Sequence, residues 1–320
     1  MGVSLPQSHP PHALSPCAVV QVGLPEPLAV PFDAITTMTP MKPRLVWIFA
    51  ITLSLLLWQW HAAQSQQSIF VRVDRWLQLQ QMSGNVQYFR TGNTRRARVG
   101  DRLTAVGDGV RTTSNSSGTL SVDTGVGTIT LRENTELRVR NLDFAPDNGR
   151  ITHLYVPQGQ VSLNLRRFTH TGSELEIETP SGVSGVRGTE FGVNVHSDGT
   201  TGVATRSGQV DTQAQRITVE VQAGFQTLVR PGEPPLAPTP IPDRPVFDYR
   251  VEPIVRGGQR RLILIGTIDP INQVYVEGEQ QTVNYWGEFS YEVVARFGRT
   301  LRVTIVTPLG DEVDYDISLL

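Results

Sequence analysis

The stretch Gly159-Gln-Val-Ser-Leu-Asn-Leu165 decides the fold class, because its apolar and polar residues alternate with a period of two. Such alternation places one face of a β-strand against a core and the other face in water. The pattern recurs along the chain, for example in Leu175-Glu-Ile-Glu178 and Ile217-Thr-Val-Glu-Val221, with clusters of Gly, Asn, Asp and Ser between the segments. The sequence therefore predicts an all-β domain, built as a sandwich, a barrel or a short β-solenoid.

A proline-rich segment divides the chain into two β domains. Residues 231–245 contain seven prolines, which favour a semi-rigid polyproline II spacer, exclude helix and strand, and leave the two flanks free to move. We expect residues 66–230 to form the first domain. Residues 246–320 have the short strands and turns of an immunoglobulin-like β-sandwich.

A segment typical of export precedes these domains. Two basic residues lead into the apolar run Leu45–Leu57, and the small residues Ala63 and Ser65 follow at the spacing of a cleavage site. Residues 41–65 are therefore expected to be a signal peptide, the alternative being a single membrane anchor at 45–60. In both cases the residues that follow lie outside the cytoplasm, in the periplasm or cell envelope.

Residues 1–40 fit this organisation poorly, because they are rich in Pro and Ser and have no periodic apolar face. Either translation begins at Met38 or Met41, or the segment is a short disordered cytoplasmic tail.

Composition gives little support to nucleic-acid binding or catalysis. The net charge is −2 and the arginines are scattered, so we expect no nucleic-acid partner. The single cysteine, Cys17, permits neither an internal disulfide nor a cysteine-based zinc site. His153, His170 and His196 lack metal-ligand spacing. We predict no catalytic residue, no cofactor and no metal ion.

Carboxylates are concentrated in two places. Glu174, Glu176 and Glu178 alternate along one predicted strand, which is typical of a solvent-exposed face. Asp314 and Asp316 also share a strand face, where they form either a solvated surface or a weak calcium site.

The segment Glu178-Thr-Pro-Ser-Gly-Val-Ser-Gly-Val-Arg-Gly-Thr-Glu-Phe-Gly-Val193 resembles the signature of the extracytoplasmic FecR domain. The matching positions are Thr179, Pro180, Gly185, Val186, Arg187, Gly188, Thr189 and Phe191. Further stretches resemble other motifs of that family in the expected order, so that the likeness covers roughly residues 84–230: Arg96-Ala-Arg-Val-Gly-Asp-Arg-Leu103, Gly107-Asp-Gly-Val-Arg-Thr112, Gly159-Gln-Val161 and Val221-Gln-Ala-Gly-Phe225.

The resemblance implies an outer, macromolecule-contacting module. The best-known FecR family members are inner-membrane regulators whose outer domain senses a loaded receptor and whose cytoplasmic helical segment controls a sigma factor. Residues 1–40 contain no amphipathic helix of that kind, so only the outer module carries over. Within the signature, Arg187 either ties a loop carbonyl or carboxylate, or recognises a carboxylate or phosphate of a partner.

The C-terminal part resembles immunoglobulin-like modules of the glucodextranase accessory type, through Gly266-Thr-Ile-Asp-Pro270 and Gly287-Glu-Phe-Ser290. Four aromatic residues lie close together in this part, where they form a binding surface or belong partly to the core: Tyr275, Tyr285, Trp286 and Tyr291.

These observations predict a non-enzymatic bacterial envelope protein that binds another macromolecule in an adaptor, signalling or assembly role. The partner would be an envelope protein or a glycan, and the oligomeric state stays open. Two alternatives are a membrane-retained transmembrane regulator of the sigma-factor-controlling type and an envelope glycan-binding protein.

Overall fold

A computed structural model describes residues 75–90, 92–295 and 298–319. These residues form strands and turns, and within these ranges there is no helix, so the all-β prediction is confirmed. It follows that none of the described residues belongs to a helix able to span a membrane. The predicted export segment (41–65) and the extension before it (1–40) lie outside the described residues.

The first seventeen strands form two sheets that share one strand. Their bounds are β1 Leu77–Ser83, β2 Val86–Arg90, β3 Asn93–Arg96, β4 Arg102–Leu103, β5 Gly109–Thr112, β6 Ser117–Val122, β7 Gly127–Leu131, β8 Glu136–Phe144, β9 Arg150–Leu165, β10 Glu174–Glu178, β11 Val183–Val186, β12 Glu190–Val195, β13 Thr201–Ser207, β14 Gln209–Ala214, β15 Ile217–Gln222, β16 Phe225–Val229 and β17 Thr239–Pro240.

The long strand β9 joins the two sheets. Its first half pairs with β8 and, in parallel, with β10, in the sheet ordered β3-β2-β5-β8-β9-β10-β11-β14-β15. Its second half pairs with β7 and β12, in the sheet ordered β4-β1-β6-β7-β9-β12-β13-β16-β17. Gly159 stands at the change of sheet with a φ of 92°, and a Cβ there would lie 2.4 Å from the Cα of Thr135. Only glycine meets both conditions without strain.

One hydrophobic core lies between the two sheets, so the predicted alternatives resolve to a sandwich. The inward residues of both sheets belong to one continuous cluster, including Leu77, Leu120, Val161, Leu163 and Phe191 from one sheet and Val86, Leu137, Leu154, Leu175 and Ile177 from the other. The alternation noted at Gly159–Leu165 therefore has its expected cause, since Val161, Leu163 and Leu165 are buried.

The proline-rich segment follows the sandwich closely. Thr239 and Pro240 form a short edge strand that pairs with β16, and Leu236 N donates to Leu228 O at 2.9 Å. The prediction that the prolines exclude strand structure is therefore wrong at Thr239–Pro240. An edge position explains this, because a proline there does not interrupt a central ladder.

The remaining strands form a second, smaller sandwich. Its strands are β18 Phe247–Arg256, β19 Gln259–Ile268, β20 Gln273–Val276, β21 Glu279–Gln281, β22 Glu288–Val294, β23 Thr300–Val306 and β24 Glu312–Ser318. A three-stranded sheet (β18-β19-β22) and a four-stranded sheet (β21-β20-β23-β24) enclose their own core. The two-sheet form agrees with the expected sandwich, while its immunoglobulin-like character stays a prediction.

The two sandwiches make direct contact. Gly192 of β12 is so close to the smaller sandwich that a Cβ on it would lie 1.8 Å from Pro308 O. Arg206 of β13 forms an ion pair with Asp311, in which Arg206 Nη2 lies 2.8 Å from Oδ1 and 2.7 Å from Oδ2. The free relative movement expected for the two flanks is restricted by these contacts.

Candidate functional site

The signature segment forms β10, a first turn, β11, a second turn and β12. In the first turn, Thr179 N donates to Gly182 O at 2.8 Å, and Gly182 N donates to the Thr179 hydroxyl at 3.2 Å. A Cβ on Gly182 would lie 2.5 Å from Gln213 O, so the turn packs tightly against β14. Pro180 is exposed at its tip. The first turn therefore has a structural role.

The second turn brings two arginines together. Gly188 has a φ of 97°, and a Cβ on it would lie 2.2 Å from the Cα of Arg167. Phe168 N donates to Arg187 O at 3.3 Å, which fixes the same two backbone segments side by side. Gly188 is thus required for the approach that places Arg187 next to Arg167.

Three other signature residues face inward. Val186 and Thr189 are buried, and Phe191, which is 1% exposed, is among the largest fully buried side chains. Because Phe191 belongs to the core shared by both sheets, it anchors the start of β12. These residues hold the second turn in place and are almost completely shielded from solvent.

The outward face of the signature strands lines a polar groove of about 870 Å³. Gly185 of β11 pairs with Glu176 of β10 on one side and Asp211 of β14 on the other. A Cβ on Gly185 would meet nothing closer than Glu176 Cγ at 3.9 Å, so the missing side chain leaves open space between the two carboxylates. We call this region, lined by residues of β10, β11, β14 and β15 and of the Arg187 turn, the groove.

The groove carries charges of both signs. Arg167 and Arg187 line it together with the carboxylates of Glu174, Glu176 and Asp211. Both arginines are exposed, and neither guanidinium has a hydrogen bond or ion pair with another residue in the described part of the chain. The first interpretation of Arg187, in which it binds a loop carbonyl or carboxylate of its own chain, therefore finds no such partner among the described residues.

The family motif around residue 108 shows the opposite arrangement. Asp108 is fully buried and accepts hydrogen bonds from Arg90 at 2.7 Å and from the backbone N–H groups of Thr104 and Ala105. Burial acts to raise the pKa of Asp108, but these donors outweigh it and lower the pKa overall. Arg90 is thus committed to an internal contact that Arg187 lacks.

Next to the groove the structure assembles a group that the sequence did not predict. His153 Nε2 lies 3.0 Å from Glu174 Oε1 and 3.5 Å from Glu176 Oε2. One ligand-type atom from each residue lies within 4.8 Å of the others. The sequence indicates that the two glutamates share a strand face, but it does not show that His153 lies beside them. Only the parallel pairing of β9 with β10 places His153 opposite Glu176.

The four aromatic residues of the smaller sandwich differ in their exposure to solvent. Tyr275 is 5% exposed and donates from its hydroxyl to Gln273 Oε1 at 3.0 Å, and burial raises its pKa. Tyr291 is half-buried against the core. Trp286 is 72% exposed and Tyr285 is 46% exposed. Only Tyr285 and Trp286 therefore present substantial aromatic surface to solvent.

These two exposed rings are held by neighbouring groups. They contact edge to face with centroids 4.7 Å apart, and the Arg230 guanidinium lies 4.0 Å from the Tyr285 ring centroid. Asn284 accepts from the backbone N–H of Trp286 at 2.9 Å and so shapes the turn that carries it. The pair is a second candidate contact surface.

A buried polar network fills the contact between the two sandwiches. Asn194 Nδ2 donates to Ile271 O at 3.0 Å, and Asn194 Oδ1 accepts from Gln273 Nε2 at 2.6 Å. His196 Nε2 lies 2.8 Å from Pro270 O, which makes the Nε2–H tautomer the donor. Desolvation lowers the pKa of His196, so the buried ring is kept neutral.

Residues 108–224 match the family model described as FecR protein. This segment is a FecR domain. The expected resemblance is confirmed there, and the groove, Arg187 and the His153 group all lie within the FecR domain. The match supports a signalling or regulatory role for the chain.

No curated protein matches the chain significantly. Two crystal structures of a proposed anti-sigma factor from Parabacteroides distasonis ATCC 8503 are 18% identical to it. They cover 41% and 39% of this chain and 58% and 60% of their own, with TM-scores of 0.34 and 0.30. A polysaccharide lyase is 11% identical over 79% of this chain and 41% of its own, with a TM-score of 0.18.

The chain thus spans less than two thirds of the length of each of these structures. Similarities at these TM-scores do not extend the assignment beyond the FecR domain.

Proposed function

We propose that this chain is an extracytoplasmic, non-enzymatic binding protein whose FecR domain docks an envelope protein at the groove, in a signalling or adaptor role. The observation that carries the proposal is a pair of exposed arginines that line the groove, Arg167 and Arg187, whose backbone segments the signature turn holds side by side. FecR family members act as regulators and not as enzymes, which supports a role in binding.

The charges of the groove favour a protein partner over a polyanion. Two guanidinium groups could bind carboxylates or phosphates through their planar forks. The three carboxylates Glu174, Glu176 and Asp211 line the same groove, however, and would repel a uniformly anionic polymer. A protein surface with charges of both signs can pair with the arginines and with the carboxylates of the groove. The groove is open to solvent, which also suits a macromolecular surface better than a small enclosed ligand.

Charge reversal at Arg187 tests this proposal. The tagged full-length chain would be expressed in its native cells and captured from detergent-solubilised envelopes, with co-purifying proteins quantified by mass spectrometry. Arg187→Glu should deplete a specific partner at least tenfold, corresponding to the loss of about 1.4 kcal/mol or more. Arg260→Glu is the matched control, because Arg260 is an exposed arginine of the smaller sandwich. Equal recovery from both variants would exclude docking through Arg187.

The membrane-retained regulator is distinguished by the N-terminus of the mature protein. Mass spectrometry of the chain purified from native envelopes should give a terminus near Gln66 if residues 41–65 are a cleaved signal peptide. A retained 41–65 segment in the mature protein would favour the transmembrane regulator instead.

The exposed Tyr285–Trp286 pair favours glycan binding as a second candidate function. Exposed aromatic rings can stack on sugar rings, and Arg230 holds the Tyr285 ring in place. Retention on peptidoglycan and envelope polysaccharides should fall in Trp286→Ala and Tyr285→Ala and persist in Arg187→Glu. Lack of retention of the unchanged protein, or retention that both aromatic variants keep, would exclude this surface as a glycan site.

A further inference from the structure

Three half-buried side chains with metal-binding atoms converge on neighbouring strands of the FecR domain. His153 comes from β9, and Glu174 and Glu176 come from β10. Their closest ligand-type atoms, one from each residue, all lie within 4.8 Å of one another. A single ion could therefore contact all three after small side-chain rotations.

The backbone that carries these side chains is part of a regular ladder. The parallel register pairs His153 with Glu176 and Ile151 with Glu174. Because residues two apart on a strand share a face, both carboxylates project on the same side as the imidazole. The buried residue Leu175 between them packs into the core and fixes this orientation. Sites built on strands in this way hold their ligands more precisely than sites on loops.

A hydrogen bond from His153 cannot serve both carboxylates of this cluster at once. A single Nε2–H can be directed well at one oxygen, and His153 is closer to Glu174 than to Glu176. The second carboxylate is then left close to the first, and two like charges at this separation repel each other. A divalent cation shared by the two carboxylates removes that repulsion and leaves the neutral imidazole as a ligand.

The donor set also discriminates among cations. Ca²⁺ and Mg²⁺ prefer all-oxygen sites, whereas an imidazole nitrogen with two carboxylate oxygens suits zinc and other first-row divalent ions. We propose that His153, Glu174 and Glu176 bind a divalent transition-metal ion, with zinc as the best match. Glu174 and Glu176 also line the groove, so the remaining coordination position faces solvent on that side.

Titration calorimetry of the full-length chain in detergent with zinc sulfate at neutral pH tests the proposal. One zinc ion should bind per chain, with an affinity in the micromolar range. His153→Ala and Glu176→Gln should each weaken binding by roughly tenfold or more, because each removes one of three protein ligands. Glu178→Gln is the matched control, since Glu178 lies two residues further along the same face and pairs with Arg140 at 3.2 Å.

A second measurement ensures that a folding defect cannot imitate the result. Zinc should raise the thermal midpoint of the unchanged protein and of Glu178→Gln, but not that of His153→Ala, whose metal-free midpoint should stay close to normal. Absence of binding, zinc affinity that His153→Ala leaves intact, or tighter binding of calcium than of zinc would each overturn the assignment. These readouts need no partner, so they do not depend on whether the groove docks a protein.

Discussion

The groove of the FecR domain and the contact between the two sandwiches are both polar, but they differ in how their polar groups are satisfied. In the contact, Gln160, Asn194 and Gln273 are buried and bonded across the boundary, with Gln160 Nε2 donating to Thr307 O at 2.6 Å. In the groove, Arg167 and Arg187 are exposed to solvent. Buried polar groups that are hydrogen-bonded across a boundary stabilise a fixed arrangement, whereas solvated charges are available for a partner. The contact is therefore an internal interface, and the exposed arginines of the groove are the feature on which the proposed docking depends.

The largest difference is expected for removal of a central hydrogen-bonding group from the contact. Asn194→Ala leaves the Gln273 amide and the Ile271 carbonyl unpaired, which should lower the free energy of unfolding by about 2–4 kcal/mol. Asp211→Ala in the groove is the control and should change it by less than about 0.5 kcal/mol. Urea denaturation measures both. Similar losses of unfolding free energy in the two variants would contradict the proposed difference between the contact and the groove.

A pair of glycine substitutions tests the same comparison through packing. Gly192→Ala places a Cβ 1.8 Å from Pro308 O, so the smaller sandwich must shift, at a cost of about 1–3 kcal/mol. Gly185→Ala in the groove meets only an ordinary contact at 3.9 Å and should be tolerated. Small-angle scattering and limited proteolysis at residues 231–245 should show a more extended, more easily cleaved chain for Gly192→Ala alone. A compact, protease-resistant Gly192→Ala protein would argue against close packing of the two sandwiches.

The smallest effect is expected from pH, through His196. Its pKa in the folded chain is lowered by burial, although Asp198 nearby acts in the opposite direction. The unfolded chain therefore binds more protons as pH falls below about 6.5, and stability decreases by at most about 1.4 kcal/mol per pH unit from this group. His196→Gln keeps a donor for Pro270 O and should remove this part of the pH dependence. Unfolding curves from pH 7.5 to 5 that decline equally in both proteins would contradict this role for His196.

Local patterns in the sequence predict much of the fold, but not the pairings between distant strands. Alternation at Gly159–Leu165 correctly predicts a half-buried strand, and the signature around Arg187 correctly predicts the FecR domain. The sequence does not reveal that β9 runs parallel to β10, which alone brings His153 to Glu176.

The contact between the sandwiches is hidden from the sequence for the same reason. Asn194 and Gln273 look like ordinary polar strand residues, because their burial depends on a surface that lies far along the chain. Tyr275 appears beside Tyr285 and Trp286 in the sequence, but it faces the contact and is buried, whereas the other two are in an exposed turn. The proline content of residues 231–245 wrongly predicts that no strand forms there, since an edge strand tolerates Pro240.

Site-specific photo-cross-linking in native cells tests the central claim most directly. A photoreactive amino acid would replace Gln213, an exposed residue of β14 that lines the groove, or Arg260 on the smaller sandwich, in otherwise unchanged chains. Position 213 should give a discrete, protease-sensitive product with an envelope protein, and position 260 should not. Products of equal yield at both positions, or none at position 213 in cells that express the protein normally, would contradict docking at the groove.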